Sequence, residues 1–268
     1  MQNPPQPART PLPTSLPPLQ GLDLHARYYS ARTGGDFFDA ILVGPYVLFF
    51  LTDIAGARDE AHTIAAETQD TFRLQAPKLF GSNVEGSTEH GVDGINMMDT
   101  LATLAHEVNL ALITAAGGPR FAPTFLGCFN LPLGLLAYIN SGGQPAIFRD
   151  SDGTRILGHV TMPLGLFTHL TFEPAIQAFE PGASLLLVTK GILEARHDRT
   201  QFGVERATQL VETFPSNSAP ELCEATLEEA HEFRKPPWYS PERLPFIKPD
   251  RIEDLTAVAL TRPSDPKP

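Results

Sequence analysis

Short apolar segments joined by tight turns are the feature that most restricts the fold of this chain. Residues 37–43 and 46–52 are apolar runs separated only by a Gly-Pro pair, which predicts a hairpin of buried strands. An Asp-Gly pair at 152–153 lies between two further apolar segments, and glycine accepts the positive φ that a tight hairpin turn requires. Parallel strands would need a longer crossover between each pair. The sequence therefore predicts an antiparallel sheet.

Periodicity predicts the other elements of the chain. Apolar residues three and four apart predict helices at 59–75, 98–114, 203–213 and 219–233. Apolar runs predict strands at 123–130, 133–140, 145–149, 154–158, 184–189 and 255–261. The polar, glycine-rich segment 81–94 predicts a loop. Strands and helices in separate runs favour an α+β fold with helices covering an antiparallel sheet or sandwich.

The domain organisation predicted from composition is a single domain between two tails. Seven of the 26 prolines fall within residues 1–20, so 1–21 is predicted to be an extended, disordered tail without apolar periodicity. Residues 22–262 form the predicted domain, and 263–268 a short C-terminal tail. No second hydrophobic core is evident from the pattern.

Charge and hydropathy exclude several classes of protein. The chain carries 20 basic and 31 acidic residues, a net charge of −11, which argues against a nucleic-acid partner. A hydrophobic content of 42% is too high for a disordered chain. No apolar run is long enough to cross a membrane, and no secretory leader is visible. With only two cysteines, these features predict a cytoplasmic globular protein and leave its oligomeric state open.

The aspartates at the strand ends are the candidate chemical groups. Asp36 and Asp39 lie at the start of the first predicted strand, and Asp53 ends the second. Because a hairpin brings the outer ends of its two strands together, carboxylates there suit a hard cation such as Mg²⁺ or Mn²⁺. The alternative is that these aspartates are ordinary turn residues. The common nucleophile, phosphate-loop and zinc motifs are absent from the sequence.

Several characteristic segments follow one another along most of the chain. They are ARYYSAR (26–32), GGDFFD (34–39), TDIAG (52–56), YINSGGQPA (138–146), MPLGLF (162–167), FEPGASLLLVTKGILEAR (179–196), FGVERATQLV (202–211) and EDLTAVAL (253–260). In this order they resemble the PPM-type, metal-dependent protein phosphatases of the SpoIIE and RsbU branch.

This resemblance implies a fold, an activity and a set of ligands. The implied fold is a β-sandwich of two antiparallel sheets flanked by helices. The implied activity is hydrolysis of phosphoserine or phosphothreonine in a phosphorylated regulatory protein, with Mn²⁺ or Mg²⁺ activating a water. Asp53 takes the role of bridging ligand, together with the backbone carbonyl of Ile54. Asp36 and Asp39 become metal ligands or hold metal-bound waters, with Asp36 also assigned to the catalytic machinery.

Two ligand positions depart from the family pattern. Lys190 stands where the family has an aspartate, and Glu253-Asp254 stands where it has two aspartates. Lysine in place of aspartate changes the local charge by +2, as much as one divalent cation. Three interpretations remain: Lys190 replaces a metal among the carboxylates, it points to solvent and is inert, or it is a neutral lysine that helps to activate the metal site. The first suggests a catalytically inactive pseudophosphatase that binds a regulatory partner; retention of the aspartates suggests a weakly active phosphatase.

A proline-rich insert precedes the final motif. Residues 234–250 contain Arg234, Trp238 and Arg243, residue types favoured as anchors in protein interfaces. Arg58 replaces the last glycine of the second aspartate motif. These residues are predicted to form a rim for a substrate or a partner; the alternative is a loop packed on its own apolar residues.

Overall fold

The computed structural model describes residues 9–29, 35–81, 96–234 and 254–264. Within these ranges the strands are β1 (Asp23–Tyr29), β2 (Asp36–Val43), β3 (Tyr46–Asp53), β4 (Thr124–Asn130), β5 (Leu135–Ser141), β6 (Ala146–Asp150), β7 (Gly153–Ile156), β8 (Val160–Thr161), β9 (Ala175–Ala178), β10 (Ser184–Val188), β11 (Arg196–His197), β12 (Thr200–Gln201) and β13 (Leu255–Thr261). The helices are α1 (Arg58–Gly81), α2 (Met97–Ala115), α3 (Lys190–Leu193), α4 (Gly203–Thr213) and α5 (Ala219–Arg234).

One compact unit comprises residues 1–17, 37–143 and 159–177. Its sheet has the order β2-β3-β4-β5-β8, and β9 also pairs with β5. The pairs β3–β4 and β4–β5 are antiparallel, whereas β8 runs parallel to β5. Buried side chains of α1 and α2, such as Phe72 and Leu104, form one hydrophobic cluster with Phe50 and Leu126 of the sheet. The cluster anchors the strand that ends at Asp53.

The second unit comprises residues 18–36, 144–158 and 178–268. Its sheet has the order β1-β13-β10-β6-β7, and these neighbours pair antiparallel. Buried residues of α4 and α5, including Leu210 and Leu222, cluster with Leu186 of β10 and Ala257 of β13. Since β10 and β13 are central and adjacent, their ends lie side by side.

The predicted α+β order is confirmed, including the hairpin of β2 and β3 and the hairpin of β6 and β7. The expectation of one hydrophobic core is wrong, because each unit has its own cluster of buried residues between a sheet and its helices. The expectation of purely antiparallel sheets also needs correction at β8, which runs parallel to β5. Helix α1 extends beyond the predicted end and continues past Pro77 to Gly81.

The first residues that the structure describes lie outside the helices and strands but contact α1. Residues 9–20 contain no helix or strand, but hydrogen bonds tie residues 9–14 to α1. The predicted domain limits at residues 21 and 262 remain predictions.

In the part of the chain that the structure describes, no helix combines the length and the hydropathy needed to cross a membrane.

Candidate functional site

The loop that follows β3 carries Asp53, the expected bridging ligand. Asp53 is half-buried, and its backbone N–H donates to the carbonyl of Pro123 over 3.0 Å. Two residues later, the N–H of Ala55 donates to the carbonyl of Phe121 over 3.1 Å. Ile54 between them is buried. The segment before β4 therefore fixes the backbone on both sides of Ile54.

Arg120 makes further contacts to the same loop. Its Nη1 donates to the carbonyl of Ala55 over 3.2 Å, and its Nη2 pairs with Glu60 at the start of α1. The backbone N–H of Arg120 donates to Gly165, whose own N–H donates to the side chain of the fully buried Asn109. Sequence reasoning missed these residues. The sequence offered one signal for them, which was the polar residue Asn109 beside the apolar stripe of the helix predicted at 98–114.

Asp39 is completely buried in the first unit and is held by three donors. Arg73 donates from Nε to Oδ2 over 2.8 Å and from Nη2 to Oδ1 over 2.9 Å. Thr14 donates its hydroxyl to Oδ1 over 2.8 Å. The hydrogen bonds to Asp39 raise the pKa of Arg73, so the guanidinium stays charged. Because a cation already occupies both oxygens, this arrangement does not fit a metal ion bound directly to Asp39.

Asp36 is the centre of a hydrogen-bond cluster in the second unit. Its Oδ2 accepts the hydroxyl of Thr189 over 2.7 Å and that of Thr256 over 2.6 Å. The two threonines also bond to each other, because the N–H of Thr189 donates to the carbonyl of Thr256 over 3.1 Å. All three residues are buried. The structure thus brings together the segments that contain Asp36, Lys190 and Asp254.

Lys190 begins α3, immediately after Thr189. Its side chain is 67% exposed, and its Nζ lies 3.4 Å from Oε1 of Glu194, one helical turn later. Asp254, by contrast, is buried, with a relative exposure of 7%. It lies just before β13. The position of the ammonium favours the interpretation in which Lys190 points to solvent over the one in which it lies among the carboxylates.

The metal centre implied by the resemblance can be tested against these contacts. Among the described residues, no three or more His, Cys, Asp or Glu side chains are grouped closely enough to hold a metal ion. Asp39 is committed to Arg73, and Lys190 supplies a cation where the family has a ligand. Glu253 lies outside the described residues. Asp39 and Lys190 therefore do not fit the role of direct metal ligand at the positions that the resemblance gives them.

The predicted rim residues are only partly described. Arg58 is the first residue of α1 and is exposed, and Arg234 is the last residue of α5 and is half-buried. Trp238 and Arg243 lie outside the described residues, so the role of the insert remains a prediction.

Comparison with solved structures defines the class of fold. The chain is similar to the RsbU and RsbW domains of a Mycobacterium tuberculosis protein, with a TM-score of 0.69, 21% identity and coverage of 95% of this chain and 65% of the other. It is also similar to the PP2C phosphatase domain of SpoIIE from Bacillus subtilis, with a TM-score of 0.65, 15% identity and coverage of 90% and 63%. The SiaA PP2C domain of Pseudomonas aeruginosa has the same TM-score of 0.65, at 15% identity and coverage of 89% and 85%. The fold is therefore that of PP2C-type phosphatase domains.

Sequence comparison identifies the family. The profile of the family described as Stage II sporulation protein E (SpoIIE) matches residues 44–239, more than half of the chain. The chain belongs to the SpoIIE family. It is 29% identical to Protein IcfG of Synechocystis sp. over 222 residues, which cover 77% of this chain and 34% of IcfG. A shorter match of 58 residues is 36% identical to the phosphoserine phosphatase RsbP of Bacillus subtilis and covers 21% of this chain and 14% of RsbP. The chain thus spans about a third or less of the length of these relatives.

Proposed function

We propose that this SpoIIE-family domain is a pseudophosphatase that binds a phosphorylated regulatory protein without hydrolysing it. The observation that carries the proposal is the solvent-exposed ammonium of Lys190, which follows directly on the Asp36 cluster. An exposed ammonium at this position can contact an anionic group of a partner without a metal ion. The proposal includes the cytoplasmic location expected from the sequence.

The charge of Lys190 suits a phosphate group. An exposed ammonium keeps three donors available on a flexible stem, and lysine binds phosphate as a point charge. Its contact with Glu194 is a surface ion pair at 3.4 Å, which contributes only a few tenths of a kcal/mol and yields readily to a stronger anion. Lys190 is therefore assigned to contact the phosphate of the partner.

The choice of a phosphorylated protein as partner rests on the family. RsbP, one of the similar proteins, is described as a phosphoserine phosphatase. A domain that keeps the fold of such enzymes and loses a ligand can retain recognition of a phosphoserine or phosphothreonine segment. The proposal concerns this class of partner and no individual protein.

Binding of phosphopeptides tests the proposal directly. A pool of phosphoserine and phosphothreonine peptides, with the same peptides unphosphorylated, is titrated into wild type, Lys190→Ala and Lys190→Asp. We expect a phosphate-dependent affinity that falls about fivefold in Lys190→Ala, since one exposed charge contact is worth ~1 kcal/mol, and further in Lys190→Asp. Lys78→Ala, which removes another exposed lysine near the end of α1, is the matched control and should leave binding unchanged. Equal binding of phosphorylated and unphosphorylated peptides contradicts the proposal.

A metal-dependent phosphatase with weak activity is the second candidate. It is favoured by the two threonine hydroxyls that fix Asp36, because carboxylates that ligate metals are themselves held by hydrogen bonds. In this candidate, Asp36 would be one of the carboxylates that hold Mn²⁺ or Mg²⁺, and the bound ion would supply an activated water.

Calorimetric titration with Mn²⁺, followed by hydrolysis of a chromogenic phosphate ester, separates the two candidates. Mn²⁺-dependent hydrolysis by wild type that disappears in Asp53→Asn would refute the pseudophosphatase. We expect instead that wild type shows no such hydrolysis and that Lys190→Asp binds Mn²⁺ more tightly than wild type. If Lys190→Asp gains neither Mn²⁺ affinity nor turnover, the assignment of Lys190 to a former ligand position is wrong.

A further inference from the structure

The segment of residues 9–14, called the strap below, lies along α1 in the first unit. At its start, Arg9 pairs through Nη1 with Glu67 at 2.5 Å and through Nη2 with Asp70 at 2.6 Å. Glu67 and Asp70 are three residues apart on α1, so they lie on the same face of the helix. The helix therefore presents a two-carboxylate clamp to one arginine.

The middle of the strap is held through its backbone. The N–H of Leu12 donates to Oε1 of Gln69 over 2.7 Å, and Nε2 of Gln69 donates to the carbonyl of Leu12 over 2.9 Å. Gln69 is almost fully buried, whereas the side chain of Leu12 is exposed. One amide side chain thus pairs with both polar groups of one residue, as a neighbouring β-strand would. This contact selects an extended backbone and does not depend on the side chain at position 12.

The end of the strap contacts the buried ion pair. Arg73 donates from Nη2 to the carbonyl of Pro13 over 3.1 Å, while it also holds Asp39. Thr14 donates its hydroxyl to Asp39 over 2.8 Å and lies 3.2 Å from the carbonyl of Phe38. A carboxylate at the end of the surface therefore recognises a hydroxyl five residues after the arginine.

We propose that Glu67, Gln69, Asp70, Arg73 and Asp39 form a recognition surface for an extended basic peptide, which this chain fills in cis with its own strap. Along the peptide, the carboxylates of Glu67 and Asp70 bind a cation, the amide of Gln69 binds a backbone, and the carboxylate of Asp39 binds a hydroxyl. Pro11 and Pro13 favour an extended conformation, so little conformational entropy is lost on docking. Because the strap is tethered to the domain, its effective concentration is of order mM, and it excludes free peptide of similar intrinsic affinity.

A labelled peptide tests the surface in the full chain. The probe is fluorescein attached to a peptide with the sequence of residues 9–16, and binding is followed by anisotropy. We expect weak binding to wild type, because the strap fills the surface. Arg9→Glu places a carboxylate against the acidic clamp and releases the strap, so the peptide should bind at least tenfold more tightly. The addition of Gln69→Ala should reduce that affinity about tenfold, since two hydrogen bonds are lost.

Two controls keep the result specific to the surface. Asp59→Asn, added to Arg9→Glu, removes an exposed acidic residue from the first turn of α1 and should leave peptide binding unchanged. Amide hydrogen exchange should show the Leu12 N–H protected in wild type and unprotected in Arg9→Glu. Equal peptide affinity in wild type and Arg9→Glu, or an unprotected Leu12 N–H in wild type, overturns the inference. Neither measurement depends on phosphatase activity, so the result stands apart from the proposed function.

Discussion

Removal of Arg73 is the perturbation with the largest expected effect on stability. In Arg73→Met the fully buried Asp39 loses two of its three donors and keeps only the hydroxyl of Thr14. Two unit charges about 4 Å apart attract by about 4 kcal/mol at an effective dielectric constant of about 20. Loss of one partner of a buried pair typically costs about 3–5 kcal/mol. Because the side chain of Arg73 is 28% exposed, we expect the lower end of this range, a decrease of about 3 kcal/mol in the free energy of unfolding.

The assay is urea-induced unfolding followed by far-UV circular dichroism, within a double-mutant cycle. The cycle compares Arg73→Met, Asp39→Leu and the double variant, which removes both charges and should recover more than half of the loss. Arg58→Met removes an exposed arginine from the start of the same helix and should change stability by less than about 0.5 kcal/mol. A cost below about 1 kcal/mol for Arg73→Met, with no coupling to position 39, would show that the pair does not anchor Asp39.

Three further predictions concern packing, reactivity and pH. Gly127→Ala should lower the free energy of unfolding by about 2–3 kcal/mol in urea denaturation, because its Cβ would lie 2.3 Å from the buried ring of Phe49. Burial raises the pKa of Cys223 to about 12, so alkylation mapped by mass spectrometry at pH 8 should modify this thiol only after unfolding. The hydrogen bond from Arg155 lowers the pKa of Asp150. The ionised carboxylate of Asp150 therefore stabilises the fold above the ordinary pKa of 3.8, and this stabilisation is lost as the pH falls through the lowered pKa. Asp150→Asn should therefore cost about 0.5–1 kcal/mol at pH 7 and nothing in strong acid, measured by urea unfolding at each pH.

The elements predicted correctly are those in which a buried face leaves a clear periodicity. The last strand, Leu255–Thr261, is buried at every position, and its predicted bounds are confirmed. β1 was missed because it lies at the edge of its sheet, and its described side chains are half-buried or exposed. An edge strand of this kind, DLHARYY, has neither an apolar run nor a clean alternation.

The contacts of the candidate site could not be read from spacing. Thr189 and Thr256 lie 153 and 220 residues from Asp36 along the chain, and only the pairing of β10 with β13 brings the two threonines together. The partner of Asp39 is 34 residues away, on α1. The resemblance supplied the positions of the aspartates but not their partners. The fold was therefore predictable from pattern and resemblance, whereas the hydrogen bonds of the site required the structure.

Asp36 and Asp39, which match the family pattern, are both held by side chains of this chain. Asp36 links three distant segments of the second unit through two threonines, and Asp39 holds Arg73 in the first. Loss of function on substitution of either would follow from lost hydrogen bonds as readily as from a lost ligand. Lys190 is different, because its substitution disturbs only an exposed ion pair with Glu194, worth about 0.5 kcal/mol. Changes in phosphate or Mn²⁺ binding at position 190 therefore report on the chemistry of the site and not on the stability of the fold.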